Sequence, residues 1–185
     1  MQEISLNLLD IAQNSITAKA SILEITVDEQ PEKDALLVTV KDNGCGMTEQ
    51  QLESVTDPFY TGRKTRKVGL GVPLFKMAAE LCGGSFSITS NLGIGTEVCA
   101  KFVLSHIDTM PLGDINSTII SLIQCNPDMQ IIYKRVFCDN EFKLDTFEIK
   151  QLLGSVPITN FEVMSFIKDF LEENEKQTAN KRTVL

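Results

Sequence analysis

Apolar positions along the chain change their period several times, and each change marks an element. Ile4, Leu8, Ile11, Ser15 and Ala18, widened by Leu9, Ala12 and Ile16, form one stripe at helical spacing and predict a helix over residues 4–20. Residues 21–28 then alternate, with Leu23, Ile25 and Val27 set against Ile22, Glu24 and Thr26, as a strand does. A polar turn at 30–34 leads into a second strand over 35–42, with Leu36, Val38 and Val40 on one face, so the pair predicts an antiparallel hairpin. Thr48-Glu49-Gln50-Gln51 is a capping box and opens a short helix. Residues 57–69 are polar, basic and aperiodic, the mark of a loop, and its length suits a functional segment. Helical spacing returns over 70–82 (Leu70, Leu74, Met77, Ala78, Leu81) and stops at Gly83-Gly84. Strands over 85–90 and 96–104, joined by the turn 91–95, complete this part.

Beyond residue 105 the pattern starts afresh. Asp114 is placed to cap a helix through Gln124, a strand follows over 130–137, and a turn at Asp139-Asn140 leads to a short strand over 141–144. Asp145 is placed to cap a further helix, and 159–175 predicts the last one. Leu112, Ile119, Leu122, Ile131, Ile132 and Phe137 are expected in the core, and Phe161, Phe166 and Phe170 are expected to pack. No internal repeat is visible. The division expected from this change is a domain over 1–105 and a small α/β region over 106–185.

Charge and cysteine content narrow the classes. The net charge of −8 repels phosphate backbones, which argues against nucleic acid as a general partner; the local exception is Arg63-Lys64-Thr65-Arg66-Lys67. No apolar run approaches the roughly 20 residues that span a bilayer, and no secretory signal is visible, so a cytoplasmic protein away from membranes is expected. Five scattered cysteines without a CxxC pair, and a single histidine, give little support to a disulfide framework, a zinc site or a catalytic triad.

Four short segments bear chemistry. Asp10 and Asn14 lie four apart and project from one side of the first helix, a placement that suits a hard cation such as Mg²⁺, although two residues of a solvated face would look the same. Asp42-Asn43-Gly44-Cys45-Gly46-Met47 follows a strand: a carboxylate there can accept from an exocyclic amine, and the glycines let backbone approach a flat ligand. Gly69-Leu70-Gly71-Val72 opens a helix, where backbone N–H groups and the positive end of the dipole form a phosphate seat. Gly93-Ile94-Gly95-Thr96 enters a strand. Each segment alone reads equally as an ordinary turn. The Walker-type run and the dinucleotide fingerprint are both missing.

In order and spacing, LLDIAQNSITAKA, DNGCGM, DPFYT, GLGVPL and GIGT resemble the N box, the DxGxG box, the F box and the two later glycine boxes of the GHKL ATPases, the family of histidine kinases, MutL and type II topoisomerases. The resemblance covers about residues 1–104 and is nearest to small standalone histidine-kinase-like ATP-binding proteins of anaerobic bacteria. It implies an α+β fold, a two-layer α/β sandwich of the Bergerat type with a small α/β C-terminal extension, and a pocket for ATP with Mg²⁺. By that resemblance Asp10 holds the catalytic position, Asn14 ligates Mg²⁺, and Asp42 accepts from the adenine amino group. Gly44, Gly46 and Met47 shape the base pocket, with Thr96 assisting through its hydroxyl and Ala18 beside them. Phe59 stands at a lid hinge with Thr61 nearby, Lys64 covers the γ-phosphate, and Gly69, Leu70, Gly71 and Val72 offer amides to the phosphates.

The departures from the family pattern bear on function. Asp10 stands where the hydrolytic members have Glu, which sets its carboxylate one methylene further back, and misplacement on that scale can cost orders of magnitude in rate. The chain opens almost at the N box, so it is expected to lack the strand and helix that precede it in the family, and either a neighbouring copy in a homo-oligomer or the C-terminal segment is expected to cover the exposed sheet. No phosphoacceptor helix hairpin is expected ahead of the ATP-binding part, so a self-contained histidine kinase is not expected. Three readings follow: a protein kinase acting on a separate partner, as anti-sigma-factor serine kinases do; an ATP-driven switch; or a non-catalytic ATP sensor in a larger assembly.

Overall fold

The computed structural model describes residues 3–56, 70–138 and 140–182, with side chains through Lys176. Its elements are α1 (Ile4–Thr17), β1 (Ile22–Gln30), β2 (Ala35–Asp42), α2 (Glu49–Ser54), α3 (Gly71–Leu81), β3 (Ser85–Asn91), β4 (Gly95–Val103), α4 (Ile115–Cys125), β5 (Gln130–Phe137), β6 (Asn140–Asp145), α5 (Thr146–Leu153) and α6 (Phe161–Arg182). The strands form one sheet in the order β3-β4-β2-β1-β5-β6. Every pairing is antiparallel except that of β1 with β5, which is parallel. The fold is therefore α+β, a mixed six-stranded sheet carrying helices, as read from the sequence.

Alternation assigns the two faces. Leu23, Ile25 and Val27 of β1 stand beside Val38 and Val40 of β2, Val98, Ala100 and Phe102 of β4, and Ile131 and Tyr133 of β5, all buried. Against this face lie Ile4, Leu8, Ile11 and Ala12 of α1, Val72, Phe75 and Ala79 of α3, and Ile115, Ile119 and Leu122 of α4. Removing such surface from water stabilises by roughly 25 cal/mol per Å². Phe75 seats α3 on the sheet, its ring 5.7 Å from Phe102 and 6.4 Å edge-on from Phe86. The other face is mostly polar, with Lys41 and Glu97 paired at 3.8 Å.

Capping follows the sequence reading closely. Thr48 makes its capping box with Gln51, Asp114 accepts from Ser117 N–H, and Asp145 accepts from Phe147 N–H. One cap is not local. The first N–H groups of α1 have no side-chain cap; Ile4 and Ser5 donate instead to the carbonyls of Pro111 and Leu112, at 3.0 and 2.9 Å. The segment before α4 thus holds the start of α1.

The residues after 105 continue the same sheet. β5 lies along β1 from Ile22↔Gln130 to Glu29↔Phe137, so the C-terminal segment covers this edge. Arg135, buried in β5, donates from Nη2 to Glu29 Oε2 at 2.6 Å, and its Nε lies 3.5 Å from Glu175 of α6. Burial works against the guanidinium's charge, but the Glu29 hydrogen bond and the field of Glu175 outweigh it and raise its pKa. Two side-chain expectations change here. Phe170 packs edge-on against Phe142 at 6.0 Å, whereas Phe161 and Phe166 are 86% and 71% exposed, because α6 packs beside α4 and buries Ile167 and Leu171 instead. Ile132 alternates onto the other face of the sheet and is half-buried. Among the described residues no helix is long and apolar enough to cross a membrane.

Candidate functional site

The site is organised around one crosswise row of the sheet. Register sets Ser90 of β3 opposite Thr96 of β4, Thr96 opposite Asp42 of β2, and Asp42 opposite Leu23 of β1. This row shares the parity of the buried residues, so its side chains stand on the helical face at the end of the sheet where α1 finishes.

Helix α1 touches the strand-end loop in two places. Ser15, buried, donates its hydroxyl to Asp42 Oδ2 at 2.6 Å. Three residues on, the Ala18 carbonyl accepts from Cys45 N–H at 3.0 Å. Gly44 lies so close that a Cβ there would stand 2.8 Å from Ala18 Cβ, which is why the position has no side chain. Gly44 N–H donates to Asp42 Oδ1 at 2.8 Å, giving each carboxylate oxygen one donor and leaving lone pairs for a ligand. Asn43 turns the other way and accepts from the N–H groups of Ser21 and Ile22, locking the loop to the start of β1.

The loop is tied to the last glycine segment as well. Met47 N–H donates to Ser90 Oγ at 2.9 Å, and Ser90 Oγ lies 2.8 Å from Thr96 Oγ1. Gly93 N–H donates to the Cys45 carbonyl at 2.7 Å, and buried Gly46 takes φ +64° against the Asn91 carbonyl. Cys45, Gly46 and Met47 are therefore clamped between α1 and the β3–β4 turn.

The remaining glycine segment meets α1 one turn earlier. A Cβ on Gly71 would stand 2.9 Å from Asp10 Cβ, so the first turn of α3 rests directly on α1. Leu70 provides no side-chain cap, and the N–H groups of Gly71 and Val72 have no acceptor among the described residues. Pro73 has no N–H to offer, so two to three backbone donors gather at the positive end of the helix. Asp10 and Asn14 are exposed on the same helix, between the α3 start and the Asp42 loop. Their oxygens are hard donors with no side-chain hydrogen bond or ion pair among the described residues, a set that fits a water-rich divalent cation.

Asp10, Asn14, Ala18, Asp42, Gly44, Gly46, Met47, Leu70, Gly71, Val72 and Thr96 thus lie around one end of α1 and the adjoining strand ends. Phe59, Thr61, Lys64 and Gly69 lie outside the described residues. Ser15 and Ser90 are additions to the set. Each is a hydroxyl in a stripe or row otherwise apolar, and that is the signal by which the sequence marks them.

A cleft of about 250 Å³ opens at the same strand ends, lined by Glu24, Lys41, Asn43, Ile94 and Glu97 together with residues of the Asp42 row. Glu24, Lys41 and Glu97 alternate with Leu23, Asp42 and Thr96, so the cleft belongs to the opposite face, and its two carboxylates beside one lysine do not suit an anionic ligand.

Comparisons with known proteins bear on the family and the fold. The family model described as Histidine kinase-, DNA gyrase B-, and HSP90-like ATPase matches residues 1–106. The sensor protein SrrB of Staphylococcus aureus is 37% identical over 106 residues, which are 55% of this chain and 18% of that protein, so the match spans under a fifth of its length. Among solved structures, the Aquifex aeolicus MutL ATPase domain complexed with ADP superposes with a TM-score of 0.53 at 16% identity, covering 83% of this chain and 69% of that one. The N-terminal domain of a DNA repair protein gives a TM-score of 0.55 at 14% identity over 78% of this chain and 52% of its own.

Proposed function

The chain belongs to the family of histidine kinase-, DNA gyrase B- and HSP90-like ATPases, and on that premise we propose that it binds Mg-ATP and works as a kinase or ATP-driven switch on a separate protein partner. One observation carries the reading: α1 contacts both glycine turns, through Ser15 to Asp42 at 2.6 Å and through Asp10 to Gly71. A single ligand seated beside α1 therefore meets an amine acceptor at one end and helix N–H donors at the other.

In this reading the Asp42 carboxylate accepts from the adenine amino group, while Gly44, Gly46 and Met47 let the base lie against backbone. Ala18 and Thr96 border the base. The N–H groups of Leu70, Gly71 and Val72 donate to phosphate oxygens, aided by the dipole of α3. Phe59, Thr61, Lys64 and Gly69 complete the lid side, the lysine facing the γ-phosphate. Asn14 would hold Mg²⁺, which neutralises phosphate charge when bound, and Asp10 orients the attacking water or hydroxyl. The domain over 1–105 carries the nucleotide, and the region over 106–185 transmits its state, since Pro111 and Leu112 hold the start of the helix that carries Asp10 and Asn14. A cytoplasmic location fits such a role.

A non-catalytic ATP sensor is the second reading, favoured by the shorter carboxylate at Asp10. Titration with Mg-ATP, followed by assay of ADP release and of label transfer from γ-labelled ATP to co-purified protein, separates them. Binding with ADP release abolished by Asp10→Ala supports hydrolysis, and labelled partner supports the kinase. Tight binding with neither leaves the sensor. No binding at all overturns both.

A further inference from the structure

We propose that Ser90 is a positioning residue that sets the hydrogen-bond polarity of the base pocket and so selects a 6-amino purine over a 6-oxo purine. The proposal deepens the Mg-ATP reading and rests on it. Ser90 belongs to none of the glycine segments; it is the half-buried penultimate residue of β3. Its oxygen nevertheless lies 2.9 Å from Met47 N, 2.8 Å from Thr96 Oγ1 and 3.0 Å from the Gly95 carbonyl.

A hydroxyl has one proton and two lone pairs. Met47 N–H can only donate, so it takes one lone pair of Ser90. The Gly95 carbonyl can only accept, so it takes the proton. The second lone pair then receives the proton of Thr96, and every group in the cluster is satisfied. Thr96 Oγ1 is left with its proton turned toward β3 and its lone pairs free. Next to it in the row, Asp42 already accepts from Ser15 and Gly44 N–H and has only acceptor capacity left. Two neighbouring side chains thus offer acceptors and no donor. An exocyclic amine, with two protons, satisfies them; an oxo group placed there meets lone pairs on both sides. Without the Ser90 hydroxyl, Thr96 can turn its proton into the pocket and donate to an oxo group.

The test is the dissociation constants of Mg-ATP and Mg-ITP, measured by calorimetry on the full chain and on Ser90→Ala, Ser90→Thr, Thr96→Val and the double variant Ser90→Ala/Thr96→Val. The expected result is a fall of about tenfold in the preference for ATP in Ser90→Ala, the worth of one buried hydrogen bond. Ser90→Thr should restore the preference, and Ser90→Ala should add nothing in the Thr96→Val background. If Ser90→Ala does not fold, Ser90→Cys, whose thiol hydrogen-bonds weakly, is read in its place. An unchanged preference, or equal weakening of both nucleotides, overturns the proposal, since the second would mean that Ser90 only anchors the Met47 loop. If the unmodified chain binds ATP, such a result leaves the Mg-ATP reading standing; if it binds neither nucleotide, both fall.

Discussion

The Ser15 hydroxyl and the Asp42 carboxylate meet at 2.6 Å across the junction of α1 and β2, far apart in sequence. Ser15 spends its proton on Oδ2, and Gly44 N–H holds Oδ1, so the carboxylate is fixed in the plane that both donors define. Its position is decided before any ligand arrives, and little ordering remains to be done on binding.

Asp42→Asn tests that relationship. The amide keeps the shape but loses the charge, and its NH₂ group can only donate, which the Ser15 hydroxyl can accept but Gly44 N–H and the ligand amine cannot. Binding of Mg-ATP is expected to weaken about 10- to 100-fold, the range for a hydrogen bond to a charged group. Calorimetric titration measures it.

Gly71→Ala tests the other contact of α1. The added methyl would stand 2.9 Å from Asp10 Cβ, and α3 must shift to make room. Overpacking of this kind costs about 1–3 kcal/mol, offset by about 1 kcal/mol through alanine's better helix propensity. Apo stability should therefore fall by about 0–2 kcal/mol in urea unfolding, while Mg-ATP affinity falls by at least about tenfold because the N–H donors move.

Arg135→Ala should destabilise the chain by about 3–5 kcal/mol, since it leaves the largely buried Glu29 without its guanidinium. Replacing Glu29, Arg135 and Glu175 together by Met should recover most of that loss, because the triad and its desolvation disappear at once. Urea midpoints of the two variants, with m-values compared, decide it.

Asp145→Asn addresses acid stability. Burial alone would raise the Asp145 carboxyl, but hydrogen bonds from Gln130 and Phe147 N–H, with Lys143 alongside, hold it below the usual carboxylate range. A depressed folded value contributes stability that is present above the unfolded pKa of about 4 and disappears as pH falls through the folded one. Above pH 5 the variant should be less stable by about 1 kcal/mol, because asparagine keeps the cap but loses the charge that strengthens the hydrogen bonds from Gln130, Phe147 N–H and Lys143. Below pH 4 the difference should shrink toward zero, as chemical denaturation across that window will report.

Much of this arrangement is legible in the residues themselves. Local periodicity and capping chemistry mark β2 and β5 at their observed ends and identify Thr48, Asp114 and Asp145 as caps, since each depends on neighbours within a few positions. The glycine segments announce the site because close backbone approach leaves no room for Cβ at Gly44 and Gly71. Ser15 is read first as part of an apolar stripe, and its hydroxyl is explained only when Asp42 comes beside it. Glu29 and Arg135 likewise occupy buried parity in strands of hydrophobic residues and find each other across the parallel pairing of β1 and β5. That pairing has no local signature, because the two strands belong to distant stretches of chain. The exposure of Phe161 and Phe166 has the same origin: an aromatic at helical spacing does not say which side of α6 meets the core.

The parallel seam also sets an order of events during synthesis. β1 ends at Gln30 and β5 starts at Gln130, so at roughly 5–20 residues per second the first strand waits on the order of 5–20 s for its neighbour to leave the ribosome. Throughout that interval its outer hydrogen-bonding groups are open to any extended polypeptide nearby, and the nascent chain is most vulnerable to mispairing and to chaperone capture. Translation speed between Gln30 and Phe137 thus becomes a determinant of yield.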